Sequence, residues 1–593
     1  MRILEMRWSL DALYQSFDSE EFQRDMKRCE NEIKEIIQWS GENFTTYDHA
    51  LEKIEAYIKR QNHFFHLYTR LLSFGELSLS VSAKDERALR IVEQLEAKET
   101  ELAKPMVMFQ KWIGGLENLE EVIASSGSLK EHAFYLMEIK KNGKYLLSEA
   151  EEILIAKMKN TGSNAWSKLQ ELLSSTLLVD IHVDGEDKKL PLPVVRNMAY
   201  AKDSDLRKKA YEAELKSYEK VAESSGASLN GIKGEVITLS KMRGYGSVLE
   251  KTLMDSRMDQ ETLDAMLTAM VESLPAFHRY YRKKAELLGH ENGLPFYDMF
   301  APMGDVKMEF TYEEAKDFIV KNFRSFSDVL ADYADHAFEK GWIDAEPREG
   351  KRGGAFCSNL HVIKESRILS NFTGTFNDVS TLAHEIGHGY HGHCLNEESY
   401  LNSDYPMPIA ETASIFCETI IQKAALKEAS AEERFAILES SLMGAGQVIV
   451  DIYSRFLFES ELFKRREEGS LSVEELKEIM VNAQKQAYGN GLDHNILHPY
   501  MWVCKPHYYY ASANFYNFPY AFGLLFAKGL YAEYLKRGTT FVQEYDQLLA
   551  ITGKRTIADV AATMGIDIRK IDFWRSSLKI IEEDIETFIS LKK

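Results

Sequence analysis

Phe22, Met26, Cys29, Ile33 and Ile37 follow one another at steps of four, three, four and four. Apolar side chains at that spacing line one face of a helix, so the pattern predicts an amphipathic helix near the start of the chain. The stretch 84–102 is dominated by Glu, Lys, Ala, Leu and Arg, whose side chains lose little freedom in a helix. From such stretches we expect residues 1–175 to form a helical N-terminal lobe with solvated charged faces. Residues 177–183 then alternate, Asp184-Gly185 follows, and 188–195 reads as a second strand. Asp-Gly between two such runs signals a tight hairpin turn. We read 176–200 as a hairpin connector to a larger domain over 201–593.

Helical periodicity returns at Asp203. Thr311 and Glu314 form a capping box, with Ala315, Phe318 and Ile319 turned inward. The texture changes between 348 and 375. A Gly-rich charged loop occupies 349–354, strand-like runs fall at 355–357 and 367–372, and Gly374 ends the second. Asn377, Asp378 and Ser380 then offer N-cap oxygens to a new helix. The expected fold class is mainly α, with a small β-sheet beside that helix.

Composition changes this picture little: of 593 residues, 45% are hydrophobic and 28% charged, which excludes a disordered chain, a fibre or a disulfide scaffold. Charge is more telling. A net charge of −20 argues against nucleic acid and against an anionic membrane surface, both of which reward a basic face. The five cysteines are odd in number and form no CxxC, as expected of reduced thiols in a cytoplasmic protein. The start, Met1 to Trp8, lacks the apolar core of a signal peptide, and the apolar run 516–527 contains Pro519 and stops at Lys528. No membrane span is expected.

The new helix carries His384-Glu385-Ile386-Gly387-His388, an H-E-x-x-H pattern. Residues i and i+4 lie on one helix face about 6 Å apart. Two imidazoles so placed can converge on one zinc ion at about 2.0–2.1 Å each. The glutamate between them stands beside the metal and can take a proton from its water. A catalytic zinc takes three protein ligands and keeps one position open. A glycine at 391 and a histidine at 394 would supply the metzincin solution, but His391 and Cys394 stand there. His391 and His393 are rivals, although a third ligand from the same short helix strains the geometry. Pro406 and Pro408 precede another helical run, 409–418, in which Glu411 and Glu418 are seven apart and share a face. One carboxylate can ligate while the other hydrogen-bonds a ligand histidine. We assign Glu411 to the metal and Glu418 to the histidine.

Gly354-Ala355-Phe356-Cys357, Asn371-Phe372-Thr373-Gly374-Thr375, the block 381–388 and Glu411-Thr412-Ala413-Ser414 resemble the M3 family of zinc metallopeptidases. Within it the chain is similar to the bacterial oligoendopeptidase F branch, with thimet oligopeptidase and neurolysin more distant. Trp8-Ser9-Leu10-Asp11-Ala12-Leu13-Tyr14 resembles the opening of that branch. The resemblance implies a bilobed helical zincin-type body with a deep substrate channel, one Zn2+ per chain, and cleavage of short peptides rather than folded proteins. It also supports Glu411 as third ligand and makes 201–593 the catalytic domain.

The segment 506–523 is dense in hydrogen-bond donors: His507, Tyr508, Tyr509, Tyr510, Tyr516 and Tyr520. Attack on a peptide carbonyl builds negative charge on oxygen, and loss of one donor to it costs about 2.7–4 kcal/mol in the barrier. The bland alternative for each ring is packing. By resemblance, His507, Tyr516 and Tyr520 correspond to the histidine and tyrosines that bind substrate and stabilise the transition state. The chain departs from the family in a longer gap between His507 and Phe515-Tyr516, and in Phe518 where tyrosine is common. We place Gly354, Asn371, Phe372 and Tyr510 in the substrate-binding set. Residues 370–373 would be an edge strand along which a peptide pairs, and Gly353 and Gly354 would let its backbone approach.

The expected function is zinc-dependent endopeptidase action on short oligopeptides, with metal-activated water and Glu385 as general base. A zinc carboxypeptidase of similar helical body is the first rival, and would need a charged group to grip the terminal carboxylate. A non-catalytic peptide-binding protein with a structural zinc is the second, and would need a fourth Cys or His ligand. Partners are short peptides, with no nucleic acid and no membrane; the oligomeric state is open.

Overall fold

The computed structural model describes residues 4–304 and 308–591. The amphipathic pattern folds as the helix Glu20–Asn43, capped by Ser19, whose hydroxyl accepts from the Phe22 N–H. Phe22, Cys29 and Ile33 are buried on its inner face with Ile36, while Met26 and Ile37 lie at the margin. Two apolar cores result. One draws on residues between Leu13 and Ile139, with Leu360 added from the sheet. The other holds Leu4 and residues from Leu177 to Phe588. The helix Ser163–Thr176 docks on this second body: the Ser163 N–H and hydroxyl donate to Glu235 at 2.8 and 2.6 Å, and Gln170 donates to the Val503 carbonyl at 2.8 Å.

The hairpin forms from β1 (Leu178–Val183) and β2 (Glu186–Pro191), antiparallel, with Val183 opposite Glu186. Asp184 and Gly185 adopt φ of 55° and 77°, the mirror-image turn that matches strand twist. The second strand ends earlier than expected, because Leu192–Asn197 is helical. Pro193 cannot donate to a ladder but costs nothing in the first turn of a helix.

A second sheet contains β3 (Ile343–Asp344), β4 (Phe356–Leu360) and β5 (Glu365–Leu369) in the order β3-β5-β4. The ladder with β4 ends at Leu369, so among the described residues the expected edge strand at 370–373 is paired on one side only. These residues prolong the middle strand, and the Ser370 and Phe372 N–H groups donate to the Asp344 and Ala345 carbonyls at 2.9 Å. The outer strand is β4, whose far edge has no strand partner among the described residues.

Three helices frame the site. The first, α1 (Phe376–Cys394), is capped by Thr375 rather than by the expected residues 377–380, and Asp378 closes the capping box. Asp378 also accepts from the Thr373 N–H and hydroxyl at 2.9 and 2.8 Å. Burial opposes its ionisation, but these bonds outweigh it and hold the carboxyl below the usual range. The second, α2 (Thr412–Glu428), follows a short turn of helix, Met407–Ala410, so the expected continuous run 409–418 is broken at Glu411. The third is α3 (Phe518–Arg537). α1 packs on α2, and α2 on α3. Gly387 permits the first crossing: a Cβ there would stand 2.6 Å from both the Ala413 carbonyl oxygen and the Ser414 Cα. The long apolar stretch Ala431–Arg466 is mostly buried inside the protein, as a core helix is.

Candidate metal centre and active site

One turn of α1 separates His384 from His388, and their ring centroids are 4.9 Å apart. The Nε2 atoms of both rings face one atom, Oε2 of Glu411, each at 3.3 Å. One donor atom from each of the three residues lies within 4.8 Å of the others, and all three side chains are half-buried. The other ring nitrogen of His384, Nδ1, lies 3.3 Å from Oε2 of Glu418. A carboxylate only accepts, so Nδ1 carries a proton, and Nε2 is the nitrogen left to give a lone pair to a metal ion in place of a proton.

This donor set fits a zinc ion. Charge-assisted hydrogen bonds draw nitrogen and oxygen to about 2.7–2.9 Å, shorter than the contacts here. Two ligands each about 2.0–2.1 Å from a tetrahedral centre stand about 3.3–3.4 Å apart. Two imidazoles and a carboxylate are also the ligand types of catalytic zinc sites. With protons alone, burial pulls the His384 imidazole down, but its bonds to Glu411 and Glu418 push it up to about 10. Glu411 is depressed well below the carboxylate range by the two imidazoles despite its burial. A site with such affinity for protons competes them against a metal ion.

Glu385, between the two histidines in sequence, is 7% exposed. Burial raises its carboxyl, His384 and His388 oppose the rise, and Glu411 adds to it. That moves it toward the range where a carboxylate exchanges protons near neutral pH. Cys357 on β4 is a neighbour whose thiol is pushed up by burial and by the charge of Glu385, so it stays protonated.

A second cluster stands against Glu411. The His507 ring is 5.1 Å from Tyr516 and 6.2 Å from Tyr520, and those two tyrosines are 5.6 Å apart. Burial, then Tyr516 and Glu411, raise the Tyr520 phenol, so it remains a donor. Burial, Arg455 and Lys505 lower His507, which is therefore a neutral imidazole. Tyr510 is 40% exposed, with its ring 5.8 Å from His507. Tyr508 and Tyr509 are buried in the core.

The Asn371 amide donates to the Arg352 and Gly354 carbonyls at 3.1 and 3.0 Å, so it ties down the loop that holds exposed Gly354. Phe372 is buried with its ring edge-on to Tyr312 at 5.6 Å. The Phe372 side chain therefore packs in the core. The rival His391 stacks on Tyr405 at 4.1 Å and bonds Thr552, and His393 lies against Tyr333.

Several positioning residues escape a reading of the sequence. Ser414 donates to Glu411 Oε2 at 2.8 Å, and Gln422 donates to Glu418 Oε1 at 2.9 Å. The i,i+4 spacing of Glu418 and Gln422 is a readable signal for the second. Lys233 donates to Glu459 at 3.0 Å and to Asn514 at 2.8 Å, and Asn517 donates to the other Glu459 oxygen at 3.0 Å. This buried network holds the turn between His507 and Tyr520, and no local pattern announces it.

Comparison with known proteins bears on the class. Oligopeptidase PepF of Bacillus subtilis is 24% identical over 98% of this chain and 86% of its own length. An oligoendopeptidase F homolog of Lactococcus lactis is 25% identical over 97% and 96% of the two chains. Among solved structures, a Chlamydophila abortus protein superposes with a TM-score of 0.83 at 22% identity, covering 99% of this chain and 98% of that one. Oligoendopeptidase-F from Enterococcus faecium gives 0.72 at 18% identity, covering 96% and 99%. Helical body, donor set and relatives together define a metallopeptidase. The family model Oligopeptidase F matches residues 115–177, and Peptidase family M3 matches 197–580. The chain belongs to peptidase family M3.

Proposed function

We propose that the chain is a zinc-dependent endopeptidase that hydrolyses short oligopeptides, with His384, His388 and Glu411 holding the ion. The observation that carries this reading is the convergence of both Nε2 atoms on Glu411 Oε2 beside the buried carboxyl of Glu385. A zinc ion held there supplies Lewis acidity, making water a stronger acid and the scissile carbonyl a better electrophile. Glu418 orients His384 by accepting from Nδ1. Glu385 takes the proton of the attacking water and returns it to the leaving amine. Tyr520, Tyr516 and neutral His507 donate to the oxygen on which charge develops. The open edge of β4 offers main-chain groups to an extended peptide, which gives affinity with little sequence demand. Gly354 lies just before that strand and Tyr510 beside His507, where they would flank the bound chain. In this reading 1–175 is the N-terminal lobe, 176–200 the connector and 201–593 the catalytic domain. All five cysteines are free, which suits a reducing cytoplasm.

The test is a mixed peptide library incubated with and without a chelator and read by mass spectrometry. Internal cleavage that stops with chelator is expected, and cleavage that persists rejects the metal. Products shortened only by single C-terminal residues would replace this reading with the carboxypeptidase. Glu385→Gln is expected to retain zinc and lose turnover by about 10²-fold or more.

A further inference from the structure

A cavity of about 400 Å3 opens at the donors His384 and Glu411 and runs along one face of α3. Tyr520, Leu524 and Lys528 line it at successive turns of that helix. Eight residues of helix separate the first from the last, about 12 Å of rise. Lys528 closes the far end and is 6% exposed. Among the described residues it has no hydrogen bond and no ion pair. Its acidic neighbour Asp584 is engaged by Lys423 at 2.6 Å, and Glu418 is engaged by His384 and Gln422. Burial and the Lys423 charge lower the Lys528 ammonium to about 8, against the pull of Asp584 and Glu418, so it is still a cation at neutral pH.

A buried ammonium without a direct partner is costly, and structural lysines in this chain avoid that cost. Lys233 and Lys284 are fully buried, and each bonds a carboxylate, at 3.0 and 2.6 Å. Lys528 differs in facing a cavity that leads to the reacting centre. The chain as a whole is strongly acidic, with a net charge of −20, and Glu411, Glu418 and Asp584 line the same cavity, so Lys528 is the one ammonium among its lining residues.

We propose that Lys528 is the carboxylate-binding end of a substrate pocket, receiving an acidic side chain or the chain terminus of a peptide residue adjoining the scissile bond. The proposal rests on the peptidase reading above. A carboxylate that reaches the far end of this pocket completes the coordination of the ammonium by a charge-assisted hydrogen bond.

The test uses the full-length zinc enzyme and peptides of one length. One pair differs only in Glu against Gln after the cleaved bond, and a second only in a free against an amidated C-terminus. Wild type is expected to favour the acid of one pair by about tenfold in kcat/KM, carried mainly by KM. Lys528→Met is expected to bring that ratio to about one, and Lys528→Arg to retain part of it. Which pair responds identifies the carboxylate as side chain or terminus. The same ratio is expected for binding to the Glu385→Gln protein, measured by calorimetry without turnover. An unchanged ratio in Lys528→Met, or none in wild type, overturns the proposal. So does an equal loss on acidic and neutral peptides with lowered zinc content, which would mark a structural role through Glu418. A protein that binds acidic peptides preferentially yet cleaves none would sink the peptidase reading alone.

Discussion

His384 Nδ1 lies 3.3 Å from Glu418 Oε2, and Gln422 holds the other oxygen of that carboxylate at 2.9 Å. The imidazole is therefore aimed from behind, by an acceptor that is itself fixed. Orienting partners of this kind typically govern metal affinity by about 10–100-fold. Glu418→Ala is accordingly expected to weaken zinc binding by that factor while leaving the helical far-ultraviolet spectrum intact. Competition against a chromophoric chelator measures it. Wild-type affinity in the variant would show that something other than Glu418 sets the ring.

The crossing of α1 on α2 sets where the histidines meet Glu411, and Gly387 sets that crossing. Elsewhere in a helix interior, Gly→Ala gains roughly 0.5–1 kcal/mol. At Gly387 the added carbon would meet backbone atoms at 2.6 Å, and backbone yields less than a side chain. Gly387→Ala is expected to cost about 1–3 kcal/mol, as overpacking does, and to lower zinc affinity with it. Gly444 has nothing within 4 Å of its would-be Cβ, so Gly444→Ala is expected to be neutral or slightly stabilising. Urea titrations should thus shift Gly387→Ala to lower midpoint and leave Gly444→Ala unchanged or higher; equal shifts would refute the packing argument.

His391 supplies a pH dependence of stability. Its ring is fully buried, Nε2 bonds the Thr552 hydroxyl at 2.8 Å, and Nδ1 has no partner. The Thr552 hydroxyl donates to the Leu549 carbonyl, so it accepts from His391, and the proton of the neutral ring is on Nε2. Burial drags the imidazole down from about 6.5 to about 3. The unfolded chain therefore binds one more proton than the folded one in that window. The stabilisation is complete above about pH 6.5 and is lost toward pH 3, by about 1.4 kcal/mol per unit. In His391→Phe that contribution to the acid slope is absent. Stability measured from pH 6.5 to 5 should fall less steeply in the variant, and parallel curves would rule the assignment out.

How much of this is legible in the sequence depends on the range of the interaction. The H-E-x-x-H spacing places two imidazoles on one helix face by local geometry alone, and the seven-residue spacing does the same for Glu411 and Glu418. Tertiary pairing is not so written. Alternation marks 367–372 as strand but cannot tell where a middle strand becomes an edge: the ladder with β4 stops at Leu369, and β4 carries an open edge of its own. Phe372 reads equally well as a substrate contact and as core, and only its packing on Tyr312 decides. Lys233 and Glu459 are 226 residues apart, and neither stands in a pattern that names the other. In the sequence Lys528 merely ends an apolar run; its surroundings give it meaning.

The tyrosines can be separated by removing one oxygen at a time. Tyr520 adjoins Glu411 and lines the cavity that opens at the donors, whereas Tyr510 is 40% exposed. A raised phenol is a donor throughout the working pH range and so can stabilise a developing oxyanion. Tyr520→Phe keeps the ring and its packing and deletes only that donor. It is expected to lower kcat by about 10²–10³-fold with zinc content and melting temperature unchanged. Tyr510→Phe is expected to stay within about threefold of wild type, since an exposed hydroxyl exchanges its bond for one to water. Single-turnover kinetics on a saturating peptide isolates the chemical step from product release. Because the Tyr516 and Tyr520 rings are 5.6 Å apart, Tyr516→Phe is the necessary companion. A large loss there with none in Tyr520→Phe would move the donor one turn back along the chain.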